Sequence, residues 1–321
     1  MILALAGGVG GARLAHGLAQ LCPPDALVVV VNTGDDFWHL GLRISPDLDT
    51  VMYTLAGRGN TCTGWGLEGE TWRFMDALAR IGGETWFRLG DQDLATHIER
   101  TRRLNEGQTL SAVTTALCRA FGVAHQVVPM SDEPVQTIVH TDAGPLAFQD
   151  YFVRRRCQPA VRALEYAGAE SAAPSPGLRA AMSDLQLRAI LICPSNPYLS
   201  IDPILALPGV RAMIAARKVP VVAVSPIIGD AAVKGPAAKI MRELGHAPSA
   251  TTIARLYSGL ADGLVIDELD RHLRGEIEAV GLRVCIADAL MRSPQDQARL
   301  ARTTLEFASK LEPARHQRVT A

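Results

Sequence analysis

The feature that most constrains the fold is the opening run MILALAGGVGGARLAHGLAQL. Residues 1–6 read as a buried strand, 7–11 as a tight loop and 12–21 as a helix. In an α/β protein this unit sets a helix N-terminus beside exposed backbone N–H groups, whose partial positive charge suits a phosphate or pyrophosphate. The glycines let the backbone approach a ligand with no Cβ in the way. The loop departs from both common phosphate motifs. It ends in Gly11, Ala12 and Arg13 with no lysine, unlike G-x-x-x-x-G-K-[ST]. Gly8-Val9-Gly10 begins a dinucleotide fingerprint, but Arg13 takes the third small position, and the following strand ends in Asn32 where an acid would bind the NAD ribose. Alone, the loop reads either as a nucleotide site or as a close helix–strand packing turn.

Further apolar runs extend the pattern. ALVVVVN (26–32), AILIC (189–193), VPVVAVS (219–225), GLVID (263–267) and RVCIA (283–287) read as strands, and residues 294–311 as the closing helix. The fold class expected is α/β, a Rossmann-like, mostly parallel sheet flanked by helices. Residues 1–321 form a single catalytic domain in this reading. Residues 58–126 are largely helical, with helices over 70–81 and 110–121, and 127–176 form a small antiparallel insertion. That insertion comprises strands at 127–130, 135–140, 146–153 and 161–166, with Arg154–Arg156 continuing one arm and 168–176 returning to the main sheet. The polar tail from Glu312 reads as frayed.

Composition narrows the function classes. With 48% hydrophobic and 20% charged residues in 321, the chain can bury a substantial core, and no apolar run approaches a membrane span. A formal net charge of -1 gives no basic excess for nucleic acid. Six scattered cysteines without a C-x-x-C pair argue against disulfide scaffolds and zinc, and the N-terminus lacks the basic region of a signal peptide, so a cytoplasmic location is expected. There is no G-x-S-x-G elbow, and the histidines show no H-x-x-x-H spacing; His16 and His140 read as structural.

Candidate chemistry lies past the strand ends. Asp35, Asp36, Asp47 and Asp49 cluster before a helix expected to begin near residues 49–50. Each alone could cap a helix or form an Asx-turn, and a divalent cation beside a phosphate would account for all four. Loops 7–13, 194–200 and 225–239 would converge on one sheet edge, the third bringing Gly229, Lys234, Gly235 and Lys239. Arg88, placed with Asp91 and Asp93 around a short strand and a turn, would meet an acidic or aromatic ligand or pair with one of those acids. The run 100–103 reads as a solvated helix face.

Several stretches together are specific enough to name a family: AGGVGGARLAHGL (6–18), VVVNTGDDFWHLGLRISPDLDTVMYTLAG (29–57), FRLGDQDLATHI (87–98), VVPMSDEPVQT (127–137), FQDYFVRRR (148–156), CPSNPYLSI (193–201) and VAVSPIIGDAAVKGPAAK (222–239). In these the chain resembles the 2-phospho-L-lactate transferases of coenzyme F420 synthesis. The resemblance implies a Rossmann-like core, Mg2+ and transfer of a phosphorylated three-carbon acid unit. The donor would be a guanosine diphospho-conjugate carrying a 2-phospholactate, enolpyruvyl phosphate or phosphoglycerate unit. The acceptor would be the ribityl hydroxyl of 7,8-didemethyl-8-hydroxy-5-deazariboflavin (Fo), with GMP released. The family's acceptor-binding acid and basic residue fall on Asp49 and Arg88.

From position, Gly7, Gly8, Gly10, Gly11, Ser195, Asn196, Ser225, Gly229 and Lys234 are expected to hold the donor nucleotide and phosphates. Asp35, Asp36 and Asp47 would hold the metal, with Asp49 beside them. Asp49 would orient the acceptor hydroxyl or accept its proton, or only hydrogen-bond the acceptor. Partners would be these small molecules, with neither nucleic acid nor membrane, and a homodimer is plausible. The first rival is a nucleotide-sugar-binding regulatory protein of the same fold, against which PDLDT and FRLGDQD argue. The second is an NAD-dependent oxidoreductase, which the incomplete fingerprint disfavours.

Overall fold

The computed structural model describes residues 1–229, 231–233 and 235–312. Its centre is a seven-stranded sheet. Numbering only its own strands, these are β1 (Ile2–Ala6), β2 (Leu27–Val31), β3 (Gln126–Pro129), β4 (Ala189–Ile192), β5 (Val221–Val224), β6 (Gly263–Asp267) and β7 (Arg283–Ala287). All neighbours are parallel, in the order β7-β6-β5-β4-β1-β2-β3. The chain therefore winds outward from β1 in both directions, and the crevice where a doubly wound sheet binds ligands opens at the carboxyl ends of β1 and β4.

The apolar runs form strands because both faces of the sheet are covered. Leu3, Leu5, Val28, Val30, Ile190 and Ile192 enter the core on one face, and Ala4, Ala6, Val29, Val31 and Leu191 the core on the other. Helix α1 (Gly8–Ala19) packs against the C-terminal helix Pro294–Ser309. At their crossing, a Cβ on Gly17 would stand 2.1 Å from the Gln297 carbonyl oxygen, so only glycine allows the approach.

Helices α2 (Pro46–Leu55), α3 (Arg73–Arg80), α4 (Asp91–Asn105) and α5 (Leu110–Ala120) follow β2. The expected helical region is thus interrupted: residues 58–72 are irregular, pinned by an isolated bridge between Gly59 and Leu67. No strand forms around Arg88; residues 84–90 run without regular structure into α4. The helix expected near 49–50 starts at Pro46, whose fixed φ suits a first helical position, and this puts Asp47 and Asp49 in the first turn.

The antiparallel insertion comprises only Gly144–Ala147, Gln136–Thr141 and Val161–Ala167; the strand expected in it at 127–130 is instead β3, which extends the parallel sheet beside β2. The strand Gly144–Ala147 ends earlier than the expected residue 153. Tyr151 is drawn fully into the core, and Asp150–Arg154 close into a wide helical turn, so Arg154–Arg156 do not extend the arm. The polar tail beyond Glu312 lies outside the described residues.

Candidate functional site

The opening loop is tighter than its sequence suggests. Gly7 alone is extended, and helix α1 begins at Gly8. Ser195, just past β4, joins the two strand ends: its Oγ accepts from the Gly7 N–H at 3.1 Å and donates to the Gly7 carbonyl at 2.8 Å. A Cβ on Gly10 would meet the Pro194 carbonyl oxygen at 2.1 Å, and one on Gly11 would meet Ser195 Oγ at 2.5 Å. The glycines therefore permit close packing and also leave a helix N-terminus open. The Gly8 N–H donates to Asp47 Oδ1 at 2.7 Å. The N–H groups of Val9 and Gly10 follow in the first turn, where no carbonyl of the helix can reach them.

A cavity of about 710 Å³ opens over these strand ends. From the strand ends it is lined by Gly7, Gly8, Gly10, Pro194, Ser195, Asn196 and Ser225. Trp65, Trp86, Phe87, Arg88, Phe148, Phe152 and Arg156 line it too. Asp35, Asp47, Asp49, Asp93 and His97 lie among the lining residues as well. Asn196 Oδ1 accepts from the Tyr198 and Leu199 N–H groups, while its Nδ2 is buried with no hydrogen-bond partner. The Ser225 hydroxyl is occupied locally, donating to the Ile227 carbonyl and accepting from its N–H.

Other expected residues stand elsewhere. Gly11 lies behind the loop against Ser195 and Ala6. The Gly229 N–H donates to the Asp270 carboxylate at 3.1 Å, away from the cavity lining. Lys239 binds the Glu243 carboxylate at 2.6 Å and the Pro159 carbonyl at 3.0 Å. Lys234 lies outside the described residues. Asp36 also turns from the cavity: its Oδ2 accepts from Ser45 Oγ at 2.7 Å and faces Arg43 at 3.4 Å. Arg88 does not pair with Asp91 or Asp93; its guanidinium stacks 3.9 Å from the centre of the Trp72 ring.

The acids divide into two groups. Asn32 Nδ2 donates to both Asp35 Oδ1 and Asp47 Oδ2, each at 3.0 Å, which holds these carboxyls side by side. Burial, then the neighbouring charges of Asp47 and Asp36, push the Asp35 carboxyl well above the usual range. Burial raises Asp47 to about 6, against the opposing hydrogen bonds from Asn32, Gly8 and Ser200. Buried oxygens that resist ionisation together are what a divalent cation would relieve, and the Asp35–Asp47 pair could hold one. Asp36 reaches about 7, again chiefly through burial.

The second group joins α2 to α4. Arg100 ion-pairs with Asp49 Oδ1. Asp49 Oδ2 is buried without a hydrogen-bond partner and lies 3.7 Å from His97 Nδ1. His97 Nε2 is 3.3 Å from Asp93 Oδ2, and the Tyr53 hydroxyl donates to Asp93 Oδ1 at 2.6 Å. Burial raises Asp49, while Arg100 and His97 oppose it; at Asp93 the contacts from His97 and Tyr53 outweigh burial, and its carboxyl falls below the usual range. Asp49, Asp93 and His97 each offer a ligand atom, all within 4.8 Å of one another, and could also hold a metal. Arg100 corrects the reading of 100–103 as a solvated face, since it is only 2% exposed. His97 and Arg100 were legible only as the i, i+4 spacing of Asp93 and His97 and the i, i+3 spacing of His97 and Arg100 on one helix face.

Residues 2–298 match the sequence model of a family described as 2-phospho-L-lactate transferase CofD. Over 316 residues the chain is 45% identical to a phosphoenolpyruvate transferase of Streptomyces griseus, covering 97% of this chain and 99% of that one. Over 305 residues it is 39% identical to a 2-phospho-L-lactate transferase of Methanosarcina mazei, covering 95% and 99%. A crystal structure of a UPF0052-family protein from Bacillus halodurans shares the fold, with a TM-score of 0.61 at 13% identity, over 95% of this chain and 98% of that one. Among the described residues, no helix is long and apolar enough to cross a membrane.

Proposed function

The chain belongs to the 2-phospho-L-lactate transferase CofD family of transferases, and from that premise we propose that it moves a phosphorylated three-carbon acid unit from a guanosine diphospho-conjugate to the ribityl hydroxyl of Fo, releasing GMP. The observation that carries this reading is the composition of one cavity. Helix N–H groups and the Asn196 amide line it from the sheet edge, Trp65, Trp86, Phe87 and Arg88 line it too, and buried carboxylates share the same cavity. A diphosphate suits the N–H groups, a flat ring system the aromatic side chains. The greater identity to the phosphoenolpyruvate transferase than to the 2-phospho-L-lactate transferase favours an enolpyruvyl donor.

In the reaction the ribityl oxygen forms a bond to the phosphorus that carries the three-carbon unit, the bond from that phosphorus to the bridging oxygen of GMP breaks, and the hydroxyl proton passes to the Asp49 carboxylate or to water. Charge spreads over the phosphate oxygens, so positioning and neutralisation dominate the catalysis. Val9 and Gly10 would donate N–H groups to phosphate oxygens, and Asn196 Nδ2 would donate to the nucleotide portion. With Oδ1 tied to Arg100, Asp49 has Oδ2 left to accept a hydrogen bond from the ribityl hydroxyl and orient it. Mg2+, when bound, would draw charge from the phosphates. Asp35 and Asp47 are the residues that would hold it. They offer hard oxygens, whereas the Asp49 group includes an imidazole and is already paired with Arg100.

Calorimetric titration with Fo tests the reading. A transferase binds Fo, and Arg88→Ala weakens that binding. A protein that ignores Fo but binds a nucleotide sugar would be a regulator of the same fold.

A further inference from the structure

The arginines at 154–156 are adjacent in sequence but differ in their partners. Arg154 lies 3.6 Å from Glu84 and 3.8 Å from Asp150, with its guanidinium over the Trp86 ring. Arg155 binds Asp150 Oδ2 at 3.1 Å. Arg156 lines the cavity, and no hydrogen bond or ion pair to it is found among the described residues.

Its backbone is unusual as well. Arg156 and Cys157 have φ of 47° and 55°; with Leu40 they are the non-glycine residues in the left-handed region among those described. Side chains with a Cβ disfavour that region, and two in succession persist only where surrounding structure imposes the turn. Here it does. The Cys157 N–H donates to the Tyr151 carbonyl at 2.9 Å and the Gln158 N–H to the Arg155 carbonyl at 2.9 Å. Tyr151 is fully buried, and Lys239 Nζ donates to its hydroxyl at 3.3 Å and to the Pro159 carbonyl at 3.0 Å. A clamped, strained turn thus sets an unpaired guanidinium at the cavity.

The other described arginines lining the cavity are already engaged. Arg13 Nη1 donates to the Met291 carbonyl at 3.0 Å, and Arg88 stacks on Trp72. The phosphates of the proposed donor have the α1 N-terminus and the cation pair. What has no partner is the carboxylate shared by lactate, enolpyruvate and glycerate units. We propose that Arg156 binds this carboxylate as a planar fork and so selects donors bearing a three-carbon acid. The assignment rests on the function proposed above.

The test compares GDP, which lacks the acid, with guanosine diphospho-enolpyruvate. For Arg156→Gln the KM for that donor should rise at least about tenfold, while GDP affinity and the KM for Fo stay within about twofold of wild type. Arg156→Lys should recover part of the loss, since it keeps the charge and not the fork. Arg156→Asn, which tolerates the left-handed backbone, should lose the donor equally with a Tm no lower than wild type. A merely structural Arg156 would lower the Tm and leave donor selectivity intact, overturning the proposal. A donor KM near wild type in Arg156→Gln, or GDP weakened as much as the donor, would overturn it as well. If wild-type protein binds GDP but makes no product from this donor and Fo, the proposed reaction itself fails.

Discussion

Gly10→Ala probes the packing that builds the proposed donor site. The new Cβ would stand 2.1 Å from the Pro194 carbonyl oxygen and 3.2 Å from its carbon. Both partners are backbone, so neither can rotate away, and α1 and the loop after β4 must part by roughly 1 Å. Overpacking of this kind costs about 1–3 kcal/mol. Replacing glycine within a helix returns about 1 kcal/mol, leaving a net loss of up to about 2 kcal/mol. The functional cost should be larger. The same displacement moves Ser195 and Asn196 relative to the helix N-terminus, and misplacement by about 1 Å can lower turnover about 100-fold. Gly8→Ala is the control. Gly8 has φ of 58°, but the nearest atom to its Cβ is Asp47 Oδ1 at 3.8 Å, so it bears only the left-handed strain of about 1–2 kcal/mol. Urea unfolding and kcat/KM of both variants check this. Gly10→Ala with wild-type stability and turnover would refute the close approach.

Arg100→Met leaves Asp49 buried without its partner; a loss of about 3–5 kcal/mol is expected in urea unfolding at neutral pH, and Asp49→Asn in the same chain should recover part of it. Asp49→Asn alone should lower kcat about 100-fold or more in a product-formation assay, with Fo still bound. Asp36 and Asp47 have folded pKa values raised to about 7 and about 6, above the ordinary 3.8 of an aspartate. Their protonated forms favour the native state, so this stabilisation is complete below about pH 4 and lost as pH rises to about 7. If Asp35 and Asp47 hold Mg2+, the metal should raise the Tm more at about pH 8 than at about pH 5.5, and EDTA should reverse the gain.

The parallel sheet was readable because its strands are continuous apolar runs; β6 and β7 end where the runs end. Side-chain direction was not. Asp35 and Asp36 are neighbours with the same chemistry, yet one lines the cavity and the other bonds Ser45 behind it. Arg100 sits in a charged stretch that looks solvated, and its burial depends on Asp49, fifty-one residues earlier in the chain. The strand expected through residue 153 ends at Ala147, and Tyr151 beyond it is buried with its hydroxyl beside the distant Lys239. Local pattern specified the elements, while partners far along the chain decided which polar groups face the ligand.

The most direct test of the transfer itself is mass spectrometry of the products formed from Fo and guanosine diphospho-enolpyruvate. The account predicts Fo extended through a phosphodiester by one phosphoenolpyruvyl unit, with one GMP for each product molecule. Release of GDP in place of GMP, or consumption of the donor with Fo unchanged, would contradict it.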